Sequence, residues 1–260
     1  GYPLDKRIFP WNHANCGDLN LSGERRPQSY LRETLWSDAP VSHIVVTPPV
    51  PSFPLNPNKA DWSVWDFPDV VDHWNFPGYE GKKMTVSVYS NCEQVELFLN
   101  GESLGKQENT ADKKNTLVWE VPYAHGILKA VSYNKGGEVG TATLESAGKV
   151  EKIRLSADRT EIVADGNDLS YITLELVDSK GIRNQLAEEL VEFSIAGDAT
   201  IEGVGNANPM SIESFVANSR KTWRGSNLLV VRSGKSSGRI IVTAKVKALP
   251  VASITITQKK

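Results

Sequence analysis

The sequence has 260 residues, and its 29 Lys and Arg nearly balance its 31 Asp and Glu, which leaves a formal net charge of −2. This balance argues against an electrostatic binder of nucleic acid or of membrane surfaces, because such proteins carry a basic face. With 40% hydrophobic residues and two Cys, the chain is expected to form packed cores without a disulfide scaffold. No apolar run reaches the roughly 18–20 residues of a membrane span. The opening residues do not resemble a translation start, so we expect a piece of a longer protein.

Residues 1–40 differ from the rest because one amphipathic helix follows an irregular lead-in. Pro27 suits the first helical position, where its missing N–H costs nothing. Between Pro27 and Trp36, Leu31 and Leu35 lie four residues apart on one helical face. A single helix cannot bury its own apolar stripe. The segment is therefore predicted to be cut from, or to dock onto, a larger structure.

Residues 41–147 alternate apolar and polar residues with the two-residue period of half-buried strands. The alternating segments are 84–89, 95–99, 117–121, 127–133 and 139–143. Asn100-Gly101 is a strong hairpin signal because both residues tolerate a positive φ. Short strands between turn residues predict an immunoglobulin-type β-sandwich, preceded by a proline-rich connector over 48–62.

Residues 148–260 repeat this organisation. Strands are predicted at 153–156, 161–164, 171–177, 191–195, 228–232, 239–246 and 253–257. Turns are predicted at 165–168 and 179–181. The predicted fold is all-β, with two tandem immunoglobulin-like sandwiches over 41–147 and 148–260 after the helical segment 1–40.

No catalytic constellation stands out. Glycoside hydrolysis needs two facing carboxylates, whereas the acids here are scattered, and adjacent Glu188 and Glu189 point in different directions. Cys16 has only His13 close in sequence as a base, and Cys92 lies in a turn, so we interpret both thiols as buried or bystander groups.

Metal ligands are not clustered either. The four His are dispersed, without the spacing of a zinc site; they are His13, His43, His73 and His125. Asp165-Gly166-Asn167-Asp168 places oxygen ligands at turn spacing, but a plain Asx turn is favoured over a Ca²⁺ site. No metal and no cofactor are predicted.

An aromatic group follows the proline-rich connector. Its members are Trp62, Trp65, Phe67, Trp74, Phe76 and Tyr79. Exposed rings could stack on sugars, whereas a docking surface or a lid over the core is the alternative. We favour docking.

The run from Cys16 to Arg32 resembles the end of the catalytic barrel in bacterial family 2 glycoside hydrolases of the β-galactosidase type, with Asn20 and Leu31 departing from the family pattern. The resemblance continues through 74–81 and 95–105. Segments 157–159 and 164–169 resemble the invasin-like bacterial immunoglobulin domain that ends many of these enzymes.

The resemblance implies a parent enzyme that hydrolyses terminal β-galactosides with retention, although β-glucuronidases and β-mannosidases share the family. It places both catalytic Glu residues upstream, and the chain lacks the Asn-Glu dipeptide of the acid/base, so no catalytic residue is assigned. Trp11, Asn12, Asn15 and Asp18 would belong to the loop after the last barrel strand, at the face where such barrels keep their active sites. Asp18 and Trp11 are the substrate-binding candidates, with a turn-shaping role as the alternative.

The leading hypothesis is thus a non-catalytic C-terminal portion whose partners are the upstream barrel and the carbohydrate substrate of the parent. A homo-oligomer contact is left open. The main rival is a carbohydrate-binding or cell-surface adhesion module, and a structural spacer is the third interpretation. The invasin-like ending favours a periplasmic or secreted location.

Overall fold

The computed structural model describes residues 9–11, 17–53 and 67–260. The chain divides into two compact units. Unit 1 ends at Ser146, and unit 2 begins at Ala147. Several residues singled out in the sequence lie outside the described part. They are Asn12, His13, Asn15, Cys16, Trp62 and Trp65. No helix among the described residues has the length and apolarity to cross a membrane.

Helix α1 spans Pro27–Trp36, as predicted, with Pro27 in its first turn. The Ser37 N–H donates to the Glu33 carbonyl and closes the last turn at 2.9 Å. The face that α1 buries is mixed rather than the predicted leucine stripe, because Gln28 and Thr34 are buried while Leu35 stays 66% exposed. Asn115 Nδ2 donates to Thr34 Oγ1 at 3.0 Å and holds the helix to the sandwich of unit 1.

The described strands of unit 1 form two antiparallel sheets. They are β1 (Ser42–Val46), β2 (Lys83–Ser90), β3 (Gln94–Leu99), β4 (Glu102–Glu108), β5 (Thr116–Pro122), β6 (Ile127–Asn134) and β7 (Gly137–Glu145). The sheet orders are β1-β2-β5 and β4-β3-β6-β7. This is the strand order of an immunoglobulin-type sandwich, with β4 as an added edge strand.

The β3–β4 hairpin forms on the predicted Asn100-Gly101 turn. Both residues have positive φ, 52° at Asn100 and 88° at Gly101, which matches the twist of the flanking strands. Asn100 Oδ1 also accepts the Ile127 N–H at 2.8 Å. A Cβ at Gly126 would overlap the Asn100 side chain, so glycine is required where the two turns meet.

The core of unit 1 contains aromatic residues that the sequence had placed on a surface. Trp74 is fully buried, and its Nε1–H donates to the Ala124 carbonyl at 2.8 Å. Phe76 is 6% exposed, and its N–H donates to the Tyr123 hydroxyl at 3.1 Å. The predicted docking surface is therefore wrong for Trp74 and Phe76, as is a glycan platform, because large rings gain more from burial between the sheets.

Unit 2 is a second sandwich. Its described strands are β8 (Lys152–Ala157), β9 (Glu161–Val163), β10 (Leu169–Val177), β11 (Leu190–Ala196), β12 (Ala199–Gly205), β13 (Ser219–Lys221), β14 (Ser226–Ser233), β15 (Gly238–Val246) and β16 (Ala252–Lys259). The sheet orders are β12-β14-β10-β8 and β13-β11-β15-β16-β9. All pairings described in unit 2 are antiparallel except β9 with β16, which is parallel. Ile172, Leu174, Leu229, Val231 and Ile240 have no exposed surface and centre the core.

Candidate functional site

The lead-in to α1 is a tight, internally bonded turn. Asn20 Oδ1 accepts the N–H groups of Ser22 and Glu24 at 2.9 and 3.0 Å. Asn20 Nδ2 donates to the Glu24 carboxylate at 3.0 Å. The bond to the Glu24 carboxylate uses the amide nitrogen as its donor, so an Asp at this position could not form it.

Asp18, the first predicted substrate-binding residue, lies at the start of this turn. Its carbonyl accepts the Arg26 N–H at 2.8 Å, which closes the turn ahead of α1. Its carboxylate forms an ion pair with Arg32 on α1, and the side chains are 46% and 48% exposed. A carboxylate can accept more hydrogen bonds than one guanidinium contact uses. Asp18 can therefore still accept hydrogen bonds from the hydroxyl groups of water or of a ligand.

Trp11, the second candidate, is half-buried against a different neighbour. Its ring centroid lies 5.0 Å from that of Phe53, with an interplanar angle of 58°. This tilted arrangement is an ordinary aromatic packing geometry. The structure thus places Asp18 beside Arg32 and Trp11 beside Phe53.

A layered stack that the sequence did not reveal fixes the same segment to β1. The Tyr30 ring on α1 lies parallel to the His43 ring, with centroids 3.6 Å apart. Arg25 covers Tyr30 with its Cζ 3.9 Å from the ring centroid, and it pairs with Glu33 at 2.6 Å. The contact between Tyr30 and His43 joins α1 to β1, and no local sequence pattern signals it.

Burial lowers the pKa of His43 to about 4, from an ordinary value of 6.5. Asp72 and Glu33 act in the opposite direction, whereas Arg25 lowers the pKa further. His43 Nε2 is buried without a hydrogen-bond partner in the described part of the chain. The neutral imidazole is therefore the form that this stack holds.

The acidic turn at 165–168 is an Asx turn. Asp165 Oδ1 accepts the N–H groups of Asn167 and Asp168 at 2.7 and 2.8 Å. Asp168 Oδ2 accepts the Val163 N–H at 2.8 Å. These backbone bonds lower the pKa of both carboxyls, and they occupy oxygens that a cation would need. Among the described residues, no group of three or more His, Cys, Asp or Glu could hold a metal ion.

Known proteins of similar sequence show to which family this chain is related. Residues 153–255 match the family model for glycoside hydrolase family 2 C-terminal domain 5, and residues 81–140 match a domain of unknown function. A β-galactosidase from Bacteroides ovatus is 30% identical over 253 residues, covering 97% of this chain and 26% of that protein. A β-glucuronidase from Formosa agariphila is 30% identical over 205 residues, covering 76% and 20%.

Among solved structures, a glycosyl hydrolase family 2 member from Bacteroides cellulosilyticus is 99% identical, with a TM-score of 0.97. The match covers 100% of this chain and 34% of that one. The fold and these matches define a tandem β-sandwich region of a glycosidase. The chain belongs to the C-terminal region of glycoside hydrolase family 2, and it spans between 20% and 34% of the length of these three relatives.

Proposed function

We propose that this chain is the non-catalytic C-terminal portion of a retaining β-galactosidase-like glycoside hydrolase and that its sandwiches support the catalytic barrel. One observation carries the proposal: 97% of the chain aligns with only 26% of a β-galactosidase. The fold also agrees with a supporting role, since the acids of turn 165–168 accept backbone N–H groups and serve the turn itself.

The exposed apolar side chains of the N-terminal segment are the proposed contact with that barrel. Trp36 is 83% exposed and Leu35 66%, and both lie at the end of α1. In the lead-in, Leu19 and Leu21 are 54% and 51% exposed. Apolar side chains grouped within one short segment are typical of a covered surface.

The 260-residue chain alone is expected to show no turnover of an aryl β-galactoside or an aryl β-glucuronide. The reason is that no pair of facing carboxylates is predicted in it. The assay would run the longer Bacteroides cellulosilyticus protein in parallel as the positive control. Turnover by the short chain that a single Glu substitution abolishes would contradict the proposal.

Asp18 and Trp11 are proposed to contact substrate in the longer protein, Asp18 by accepting sugar hydroxyls and Trp11 through its ring. Asp18→Asn in the longer protein is expected to raise KM about tenfold, the loss of one charge-assisted hydrogen bond, with kcat little changed. Arg32→Gln is the matched control, because it breaks the same ion pair but keeps the carboxylate.

Equal effects of the two variants on KM would mean that Asp18 acts only through its ion pair. An unchanged KM in Asp18→Asn, with a lowered melting temperature, would show that the residue serves the turn alone. Either result would remove Asp18 from the substrate site.

The alternative, a carbohydrate-binding or adhesion module, is less well supported. It depended on exposed tryptophans such as Trp62 and Trp74, and Trp74 is buried in the core of unit 1. We also propose export of the longer protein to the periplasm or beyond, on the resemblance of unit 2 to invasin-like domains.

A further inference from the structure

The connection between β12 and β13 in unit 2 is long and presents apolar side chains to solvent. It runs over residues 206–218, thirteen in all, whereas most connections have about 4–6. Ile212 is 75% exposed, Val216 85% and Phe215 46%. Long ordered loops of this kind are usually functional.

A buried arginine holds this loop. The Arg220 side chain has no exposed surface, and its Nη1 donates to the carbonyls of Val204, Glu213 and Ser214 at 3.2, 3.2 and 3.3 Å. Its Nη2 donates to Ser211 Oγ at 3.0 Å. Burying a guanidinium is costly unless hydrogen bonds replace its water. Three of these four bonds go to the loop itself, so the buried charge serves to fix the loop.

Further bonds tie the loop to the strands beside it. Glu213 Oε1 accepts the Lys221 N–H at 2.9 Å, and Asn206 Nδ2 donates to the Lys221 carbonyl at 2.9 Å. The Phe215 carbonyl accepts the Val204 N–H at 2.9 Å. The buried guanidinium lies with its Cζ 4.4 Å from the Phe215 ring centroid. The loop is thus ordered from base to tip, while Ile212 and Val216 remain outside.

We propose that the β12–β13 loop is a pre-formed docking element whose apolar tip packs against a part of the longer polypeptide that lies outside these 260 residues. Because the loop is already ordered, docking does not carry the conformational-entropy cost of ordering a flexible loop. This inference deepens the proposed supporting role and rests on it.

The small size of the tip favours this occupant over a separate partner. A stable interface between two proteins uses about 20–30 residues a side, whereas the tip offers three apolar side chains. Within one polypeptide a small contact suffices, because linkage supplies a high effective concentration. The near-identical Bacteroides cellulosilyticus chain contains additional polypeptide that could form this contact, since the present sequence covers only 34% of that chain.

Thiol labelling tests the docking proposal without measuring turnover. The docking proposal can therefore fail while the proposed function holds, and the proposed function can fail while the loop is still found to be covered. Val216→Cys would be made in the 260-residue chain and at the equivalent position of the longer protein. Labelling by a maleimide under native conditions would be located by peptide mass spectrometry. Val251→Cys is the matched control, because Val251 is 57% exposed just before β16 in the same unit.

The Val216→Cys thiol is expected to react at least tenfold more slowly in the longer protein, a difference of about 1.4 kcal/mol in exposure equilibrium. The Val251→Cys thiol should react at similar rates in both. Equal rates at position 216 would overturn the proposal, and so would equal slowing at both positions. Slowing that grows with protein concentration would assign the tip to a second copy and would also overturn it.

Discussion

Replacing Trp74 by Ala is expected to destabilise unit 1 by about 3–5 kcal/mol. The indole is fully buried, and its ring centroid lies 4.9 Å from that of Tyr123 and 5.9 Å from that of Phe76. The substitution would leave a cavity between the sheets and an unpaired Ala124 carbonyl. Both losses act on the same core, so the effect should be near the top of the usual range for single substitutions.

Trp36→Ala supplies the matched control, since Trp36 is 83% exposed. It should change stability by no more than about 0.5 kcal/mol. Urea denaturation followed by hydrogen exchange on peptides from each unit would measure both variants and keep unit 2 as an internal reference. Equal destabilisation by the two substitutions would contradict the burial argument.

Acid is expected to weaken the packing of α1 against strand β1 of unit 1, through protonation of His43. The pKa of His43 is about 4 in the folded chain, against 6.5 when the residue is free. The unfolded chain therefore takes up a proton as the pH falls through 6.5, and the folded chain does so only near pH 4. The contribution of neutral His43 to the free energy of unfolding is fully present above pH 6.5. It is lost as the pH falls from 6.5 to about 4, by about 3 kcal/mol in all.

The groups around His43 agree with this direction. Protonation of His43 would place a cation on each face of the Tyr30 ring, since Arg25 already covers the other face. Asp72 and Glu33 favour the protonated form but do not offset burial. Tyr89, opposite His43 in the β1–β2 pairing, stays neutral, because burial raises its pKa to about 12.

His43→Phe would keep a ring beside Tyr30 and remove the titrating group. Hydrogen exchange of the α1 amides, corrected for intrinsic rates and compared at pH 7 and pH 4.5, should show acid loosening in the unsubstituted chain and little in this variant. His125→Phe, at an exposed position, is the control and should behave like the unsubstituted chain. The same acid response in His43→Phe would refute the prediction.

Local patterns predicted the parts of the fold that local physics determines. Pro27 marked the start of α1, and the alternation in the inner strands marked β2 and β10, because each buries one face of its residues. The edge strands β1, β4, β12 and β13 were missed. Residues of β4 are mostly exposed, and β12 contains Gly203 and Gly205, so neither shows a clear apolar period.

The candidate site was harder to predict because its contacts join distant residues. The sequence offered a turn around Asp18 only as the alternative to substrate binding, and the ion pair with Arg32 depends on where α1 folds back. The aromatic content near Trp74 was visible, yet the side of the sheet that each ring faces was not. The burial of Arg220 was not predicted, since no pattern in the sequence reveals that its guanidinium donates to the carbonyls of Val204, Glu213 and Ser214.

The parallel pairing of β9 with β16 has a mechanical consequence for unit 2. Thr257, Gln258 and Lys259 align with Glu161, Ile162 and Val163, so a strand near the entry of the unit runs beside its last strand. Tension applied at the two ends would slide these strands along each other and load all their hydrogen bonds at once. An antiparallel pair pulled from its ends can instead open one bond at a time. The parallel β9–β16 pair is therefore loaded in shear when the two strands are pulled from their opposite ends.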